Sequence, residues 1–188
     1  MLPLPNLIII TGFSLLGIGM IVAFIRIALK GGSLIGRPSA NPFFFYSAKL
    51  SIFVSIGLLL CKAIVPSFGG LKVPEGLVWM GTLLGTAGAA ILLFSFFQLS
   101  DSLKYGLPKE GTQLKTSGLF RFSRNPLYMG LFLVNIASAL FFPAIPNILV
   151  TIYCIMAHGI LIRGEERFLE KRFGAEWVAY KNKVRRFI

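Results

Sequence analysis

The chain has 188 residues, of which 55% belong to the apolar and aromatic set and only 14% are charged. This composition excludes a disordered chain and differs from that of soluble domains, in which about a quarter of the residues are charged. The net charge of +12 would suggest a nucleic-acid partner in a soluble protein, but here the basic residues lie between and after long apolar runs, so they indicate orientation in a bilayer and no nucleic-acid partner.

Five apolar runs are long enough, or nearly long enough, to cross a membrane as helices, which takes about 20 residues. In chain order the predicted spans are residues 7–25, 43–65, 76–99, 126–142 and 146–162. The first run lacks the basic start and the small-residue cleavage pattern of a signal peptide, so we interpret it as a retained helix. The last two runs are separated by three residues and predict a tight hairpin. The sequence therefore predicts an all-α, polytopic integral membrane protein with five transmembrane helices.

The lysines and arginines alternate between few and many from one connection to the next, as the positive-inside rule requires. This pattern predicts an outside N-terminus and a cytoplasmic C-terminus, with the third loop and the tail on the same cytoplasmic face. We predict a single membrane domain over residues 1–188, in which residues 1–97 form three N-terminal helices and residues 98–188 form the C-terminal region.

Metal and thiol chemistry find little support in the sequence. Cys61 and Cys154 lie singly inside apolar runs and are interpreted as packing residues. The single histidine, His158, cannot build a metal cluster, so no metal is predicted, and within the fifth span it is interpreted as a hydrogen-bonded packing residue. Gly81 and Gly85 form a G-x-x-x-G pattern that favours close helix packing within the chain over a dimer face. The predicted state is a monomer or a weak dimer.

Polar side chains concentrate in residues 104–128 and 163–186. The hairpin between the last two spans is centred near residue 144, about twenty residues after Arg124 and about twenty before Glu165, so an antiparallel pair brings both to one depth. The start of the fourth helix is therefore predicted to face the end of the fifth at the cytoplasmic interface.

These two helix ends offer complementary charges. Asn125 suits the cap and Pro126 the first position of a helix, whose free N–H groups and dipole favour an anionic group; the alternative is a well-capped helix with Arg124 at the headgroups. Carboxylates near a bilayer are usually paired, so Glu165 and Glu166 either pair with neighbouring arginines or bind a cationic ligand. Together the two ends suit a zwitterion such as an amino acid moiety.

The tail predicts an interfacial amphipathic helical segment, interrupted at Gly174. Its apolar face, at spacings of three and four residues, consists of Leu169, Phe173, Trp177, Tyr180, Val184 and Phe187.

Several motifs agree in order and spacing with one known family. They are Thr116 to Phe120, Arg124 to Gly130, Glu165-Glu166, Leu169, Phe173-Gly174, Trp177, Tyr180 and Val184. Over residues 98–186 the chain resembles the isoprenylcysteine carboxyl methyltransferase family, which shares its C-terminal pattern with membrane phospholipid methyltransferases.

The resemblance implies an S-adenosylmethionine site in a helical membrane pocket and makes residues 98–188 the cofactor-binding catalytic region. The implied cofactor contacts are Thr112, Gln113, Leu114, Lys115, Phe120, Asn125, Pro126, Leu127, Tyr128 and Glu165. The charges at the two helix ends agree with this site, since the methionine carboxylate suits the start of the fourth helix and a cationic group suits Glu165.

The chain also departs from the family. The eukaryotic members have Arg-His-Pro where this chain has Arg124-Asn125-Pro126, and the Asn form looks like the prokaryotic branch. The arginine that binds the substrate carboxylate in those members falls at Leu161, and Arg163 is the nearby replacement we expect.

The sequence and the resemblance together therefore predict an S-adenosylmethionine-dependent methyltransferase of a prokaryotic cell membrane. Its predicted acceptor is a lipophilic small molecule or a lipid-modified substrate, and membrane lipid is a further predicted partner. Tyr128, Glu166 and Arg163 are the predicted catalytic residues, with Glu166 or Tyr128 as the base for an amine acceptor. The open alternatives are a phospholipid amine or a small thiol as acceptor, and a non-enzymatic scaffold or transporter subunit.

Overall fold

A computed structural model describes residues 1–29, 41–100 and 113–187. The helices are α1 (Leu4–Leu29), α2 (Pro42–Ile64), α3 (Glu75–Ser100), α4 (Pro126–Phe141), α5 (Ile145–Phe173) and α6 (Ala175–Lys183), with short 3-10 turns at Phe68–Gly70 and Gly118–Arg121. Within these ranges every regular element is helical, which confirms the predicted all-α class. The predicted fifth span is the first part of α5, which continues as one helix to Phe173.

Four helices, α1, α2, α3 and α5, are long and apolar enough to cross a membrane, and α4 is a shorter apolar helix of 16 residues. This agrees broadly with the five predicted spans. Large apolar side chains on α1, α2 and α5 point away from the rest of the chain, among them Leu15, Ile18, Phe53, Leu149 and Met156. An apolar exterior of this kind suits contact with lipid tails.

The closest helix pair is α3 with α4, and glycine makes their approach possible. A side-chain carbon added at Gly88 would lie 2.8 Å from the carbonyl oxygen of Gly130, and one added at Gly130 would lie 2.8 Å from that of Gly88. Only residues without a side chain let two helix backbones pack so tightly. The G-x-x-x-G pair Gly81 and Gly85 faces Ala137 of α4, so this pattern serves packing within the chain, as predicted.

Side chains of the first four helices meet in a common apolar core. Its buried members are Ile9, Phe13, Leu16, Leu59, Ala63, Ala89, Val134 and Phe141. The core holds α4 between α3 and α2, so the start of α4 is carried by a packed bundle.

The α4–α5 hairpin is fastened by a buried amide. The Asn147 side chain donates to the carbonyls of Ser138 and Phe142, both at 2.9 Å, and the Ser138 hydroxyl donates to the carbonyl of Ser55 at 2.8 Å. Because buried polar groups need partners, this network sets the register of α4 against α5 and joins both helices to α2.

Lys62 is a charged residue inside the second predicted span, and its ammonium is hydrogen-bonded to backbone carbonyls. Its ammonium donates to the carbonyls of Pro66, Phe68 and Leu71 at 2.7, 3.0 and 2.9 Å. The lysine therefore holds the turn after α2, where the chain leaves the helix with unpaired carbonyls.

The chain turns at Gly174, whose φ of +50° lies in the left-handed region that glycine adopts without strain. The break between α5 and α6 agrees with the prediction. The apolar face predicted for the tail is present, but Trp177 is 1% exposed and Tyr180 is also buried. The centre of this face therefore packs against the protein and not against lipid headgroups.

Candidate functional site

The start of α4 lies beside the last third of α5, as the predicted hairpin register requires. The Tyr128 hydroxyl donates to Glu165 Oε1 at 2.7 Å, and the Arg124 guanidinium lies 3.3 Å from Glu166 Oε1. The two neighbouring carboxylates of α5 thus each meet one side chain from the beginning of α4.

Glu166 is the centre of a charged cluster, the Glu166 cluster, formed with Arg124, Asn125 and Arg186. Oε1 accepts from Arg124 Nε at 3.3 Å and from Asn125 Nδ2 at 3.1 Å, and Oε2 accepts from Arg186 Nε and Nη2 at 3.1 and 2.6 Å. The glutamate is 6% exposed. A buried carboxylate needs such compensation, so both oxygens are occupied by structural partners.

Asn125 occupies the cap position of α4, but the expected capping hydrogen bond is absent. Its side-chain amide donates instead to Glu166 Oε1, while its own backbone N–H is bound by the Ser123 hydroxyl at 3.1 Å. The prediction of a side-chain cap is therefore wrong, because the side chain is oriented so that its NH2 group donates to the buried carboxylate across the hairpin, and its Oδ1 makes no hydrogen bond with the helix start.

The tail closes over this region through backbone contacts. The Arg124 N–H donates to the Arg185 carbonyl at 2.9 Å, and Arg124 Nη1 donates to the carbonyls of Lys181 and Val184 at 2.8 and 3.0 Å. The hydrogen bond from Arg186 to Glu166 raises the pKa of the Arg186 guanidinium above its ordinary value. Arg124 therefore joins three segments: the start of α4, α5 through Glu166, and the residues after α6.

The segment before α4 is held from two sides. The Tyr180 hydroxyl donates to the Phe120 carbonyl at 2.7 Å, and the Leu119 N–H donates to Gln98 Oε1 at 2.9 Å. Burial raises the pKa of Tyr180 to about 12, since its anion would lose solvation. Phe120 is itself buried, so this predicted contact residue has a fixed position beside α6.

Glu165 differs from Glu166 in having no cation at ion-pair distance within the described ranges; its one hydrogen-bond partner there is Tyr128. The Lys49 ammonium on α2 acts on it electrostatically from farther away. A carboxylate held in place but without a paired cation is able to receive a cationic group of a ligand.

The other predicted site residues have diverse surroundings. Pro126 is fully buried, and the Leu127 side chain packs against Ala23 and Phe96, so what Leu127 offers at the helix start is its N–H. Arg163 is exposed on α5.

The predicted contacts that precede Phe120 are less enclosed. Gln113 is exposed, Leu114 and Lys115 are partly buried, and Thr112 lies outside the described residues. No described hydrogen bond links Gln113, Leu114 or Lys115 to the carboxylates of α5, and their roles stay predictions.

The sequence analysis left out of the site Arg186, which binds Glu166, Lys49, which acts electrostatically on Glu165, and His158, whose ring centroid lies 5.8 Å from that of Tyr128. Arg186 was counted only as tail charge, although a buried carboxylate already next to one arginine signals a need for further donors. Lys49 stands alone in an apolar span, and an ionisable residue there is itself a signal of function.

The comparison with known protein families matches residues 77–176 to the phospholipid methyltransferase family. The match covers more than half of the chain, including α3, α4, α5 and both carboxylates of the site. The chain belongs to this family, so it is an integral-membrane methyltransferase. This agrees with the resemblance to the related isoprenylcysteine enzymes. Comparison with curated proteins and with solved structures found no match.

Proposed function

We propose that the chain transfers a methyl group from S-adenosylmethionine to a lipophilic, membrane-associated acceptor at the site between α4 and α5. The observation that carries this proposal is Glu165, a carboxylate held by the Tyr128 hydroxyl at 2.7 Å and lacking an ion-paired cation among the described residues. Its neighbour Glu166, by contrast, is saturated. One carboxylate is thus available to a ligand and the other maintains the site.

The residues present fit S-adenosylmethionine, which supplies an electrophilic methyl group on a sulfonium. Glu165 would bind the ammonium or accompany the sulfonium. The N–H groups of Leu127 and Tyr128, at the positive end of the α4 dipole, would bind the carboxylate. The rings of Tyr128 and Phe120 would support the cation or the adenine.

Glu166 positions the site and is poorly suited to accept a proton. Both of its oxygens already accept hydrogen bonds from charged or amide donors, which stabilise the carboxylate form. Arg163, the residue expected to bind an acceptor carboxylate, is exposed on α5. Its part in acceptor binding remains a proposal.

The acceptor belongs to one of three classes: a prenylcysteine carboxylate, a phospholipid amine or a small thiol. The family match favours the phospholipid amine. With the C-terminus in the cytoplasm of a prokaryotic cell, S-adenosylmethionine would enter from the cytoplasm, whereas an amphiphilic acceptor would enter sideways from the bilayer.

Calorimetry with S-adenosylhomocysteine on the detergent-solubilised chain tests the proposal. We expect saturable binding that Glu165→Gln weakens, with Glu170→Gln as the matched control because Glu170 is an exposed carboxylate on the same helix. Methyl-labelled donor with each acceptor class then identifies the acceptor. Absence of binding to the wild-type chain would contradict the proposal.

A further inference from the structure

His158 is fully buried on α5, at 0% exposure, and it is the single histidine of the chain. It precedes Glu165 by seven residues, two helical turns, so both lie on one face of α5. The Tyr128 ring connects them: its centroid is 5.8 Å from the His158 ring, and its hydroxyl binds Glu165. The imidazole therefore lies beside the ring of the tyrosine that holds Glu165.

The hydrogen bonds of His158 determine its tautomer. Nδ1 lies 2.8 Å from the Cys154 carbonyl oxygen. A carbonyl only accepts, so Nδ1 carries the proton and Nε2 carries the lone pair. Nε2 is buried and has no hydrogen-bond partner among the described residues.

Such an unpartnered acceptor is costly, because a buried polar group without a hydrogen bond has lost its hydration without gaining a partner. A histidine that only packs would not need this free acceptor, since the hydrogen bond from Nδ1 already satisfies the donor of the ring. A neutral imidazole with a fixed tautomer and a free lone pair is instead the arrangement that a proton acceptor requires.

The charged and titratable groups facing His158 come from each helix packed against it. Cys154 lies on α5, Tyr128 on α4, and Lys49 on α2 acts electrostatically on both Cys154 and His158. The Tyr128 hydroxyl donates its proton to Glu165. Glu165 also keeps free lone pairs, but the proposed function assigns this carboxylate to the methyl donor, which leaves Nε2 of His158 as the acceptor for the second substrate.

We propose that His158 Nε2 accepts the proton released by an amine methyl acceptor, an inference that rests on the proposed methyl transfer. An ammonium headgroup loses one proton to Nε2, which frees the nitrogen lone pair. That pair forms the bond to the methyl carbon while the carbon–sulfur bond of the sulfonium donor breaks, leaving its electrons on sulfur. The headgroup ends as a methylammonium and His158 as an imidazolium.

The single histidine permits a direct observation by NMR of ¹⁵N-histidine-labelled protein in detergent with bound S-adenosylhomocysteine. We expect the Nδ1–H tautomer in the free protein. Phosphatidylethanolamine should shift the Nε2 resonance, whereas phosphatidylcholine, whose headgroup nitrogen has no N–H, should leave it unchanged. The opposite tautomer, or equal responses to the two lipids, would overturn the proposal.

Turnover provides the second measurement. Relative to wild type, His158→Gln should slow methyl transfer to phosphatidylethanolamine about a hundredfold or more, the usual contribution of a positioned base, and keep wild-type affinity for S-adenosylhomocysteine. A wild-type rate in this variant would overturn the proposal, as would transfer by the wild type to a prenylcysteine carboxylate only. Failure of wild-type protein to bind S-adenosylhomocysteine would instead overturn the proposed function.

Discussion

Glu165 and Glu166 are adjacent in the chain yet have opposite electrostatic environments. Glu166 accepts hydrogen bonds from Arg124 and Arg186, whereas Glu165 accepts one from the neutral hydroxyl of Tyr128. Consecutive helical residues point about 100° apart, so the two side chains reach different neighbours. Under the proposed function, this divergence would separate maintenance of the site from ligand binding, and it makes the two residues distinguishable by mutation.

The first prediction concerns the two glutamates. Glu166→Gln leaves two arginines without their carboxylate and should lower the free energy of unfolding by about 3–5 kcal/mol. Glu165→Gln should instead weaken S-adenosylhomocysteine binding by about 1.5–3 kcal/mol with little loss of stability. Thermal unfolding in detergent and calorimetry on both variants measure the two effects. An identical profile for the two substitutions would disprove the division of roles.

The second prediction concerns the hydroxyl of Tyr128. Tyr128→Phe removes the 2.7 Å hydrogen bond to Glu165 and keeps the ring. We expect affinity for S-adenosylhomocysteine to fall about tenfold, the value of one bond to a charged group, because the carboxylate loses its fixed position. Tyr153→Phe, which removes an exposed hydroxyl of α5 bound to Ser47, is the control. Unchanged affinity in Tyr128→Phe would show that Glu165 needs no positioning.

The third prediction concerns the contact of α3 with α4. Gly130→Ala puts a methyl group 2.8 Å from the Gly88 carbonyl oxygen and should destabilise the protein by about 1–3 kcal/mol. Gly159→Ala on α5 meets open space, and there the lower backbone entropy of alanine should be neutral or stabilising. Thermal unfolding of both variants checks the difference. Equal stability would mean that the two helices separate at no cost.

The fourth prediction concerns alkaline pH. The pKa of Tyr180 is raised to about 12 in the folded protein from an ordinary value near 10. Its contribution to stability is therefore fully present below about pH 10 and is lost as the pH rises to about 12, by on the order of 2 kcal/mol. Wild-type protein should lose more stability across this window than Tyr180→Phe. Parallel curves for the two proteins would show that Tyr180 titrates normally.

The fifth prediction concerns orientation. Cysteines introduced at Lys115 and at Ile145, which is 75% exposed at the hairpin, should be labelled from opposite sides of the membrane, the former from the cytoplasm. The background should carry Cys61→Ser, since Cys61 is exposed. Labelling of both positions from one side would contradict the predicted topology.

Sequence alone predicts the helices and the meeting of α4 with α5 because both follow from apolar run length and from counting residues about a hairpin. The same counting predicts that Arg124 lies near Glu166. It does not predict the position of Arg186, because that position depends on the direction that the chain takes after Gly174. After Gly174 the chain runs so that Trp177 is buried, which the sequence does not predict.

Side-chain choices between competing partners also lie beyond sequence reasoning. In the sequence, Asn125 is suited to cap the start of a helix. In the structure, its side-chain amide donates instead to Glu166. The free Nε2 of His158 likewise emerges only once the ring orientation and the Cys154 carbonyl are known. Local patterns identify the position of such residues, and tertiary packing decides their partners.

The short length of α4 has a consequence for the surrounding membrane. Sixteen residues make a helix of about 24 Å, less than the hydrocarbon thickness of about 30 Å. Because α4 is packed tightly against α3, we expect a bilayer to accommodate the mismatch by thinning beside it. Such thinning would bring the polar groups of adjacent lipids toward Tyr128 and Glu165, so the proposed acceptor would reach the proposed site by lateral diffusion while its acyl chains stay in the leaflet.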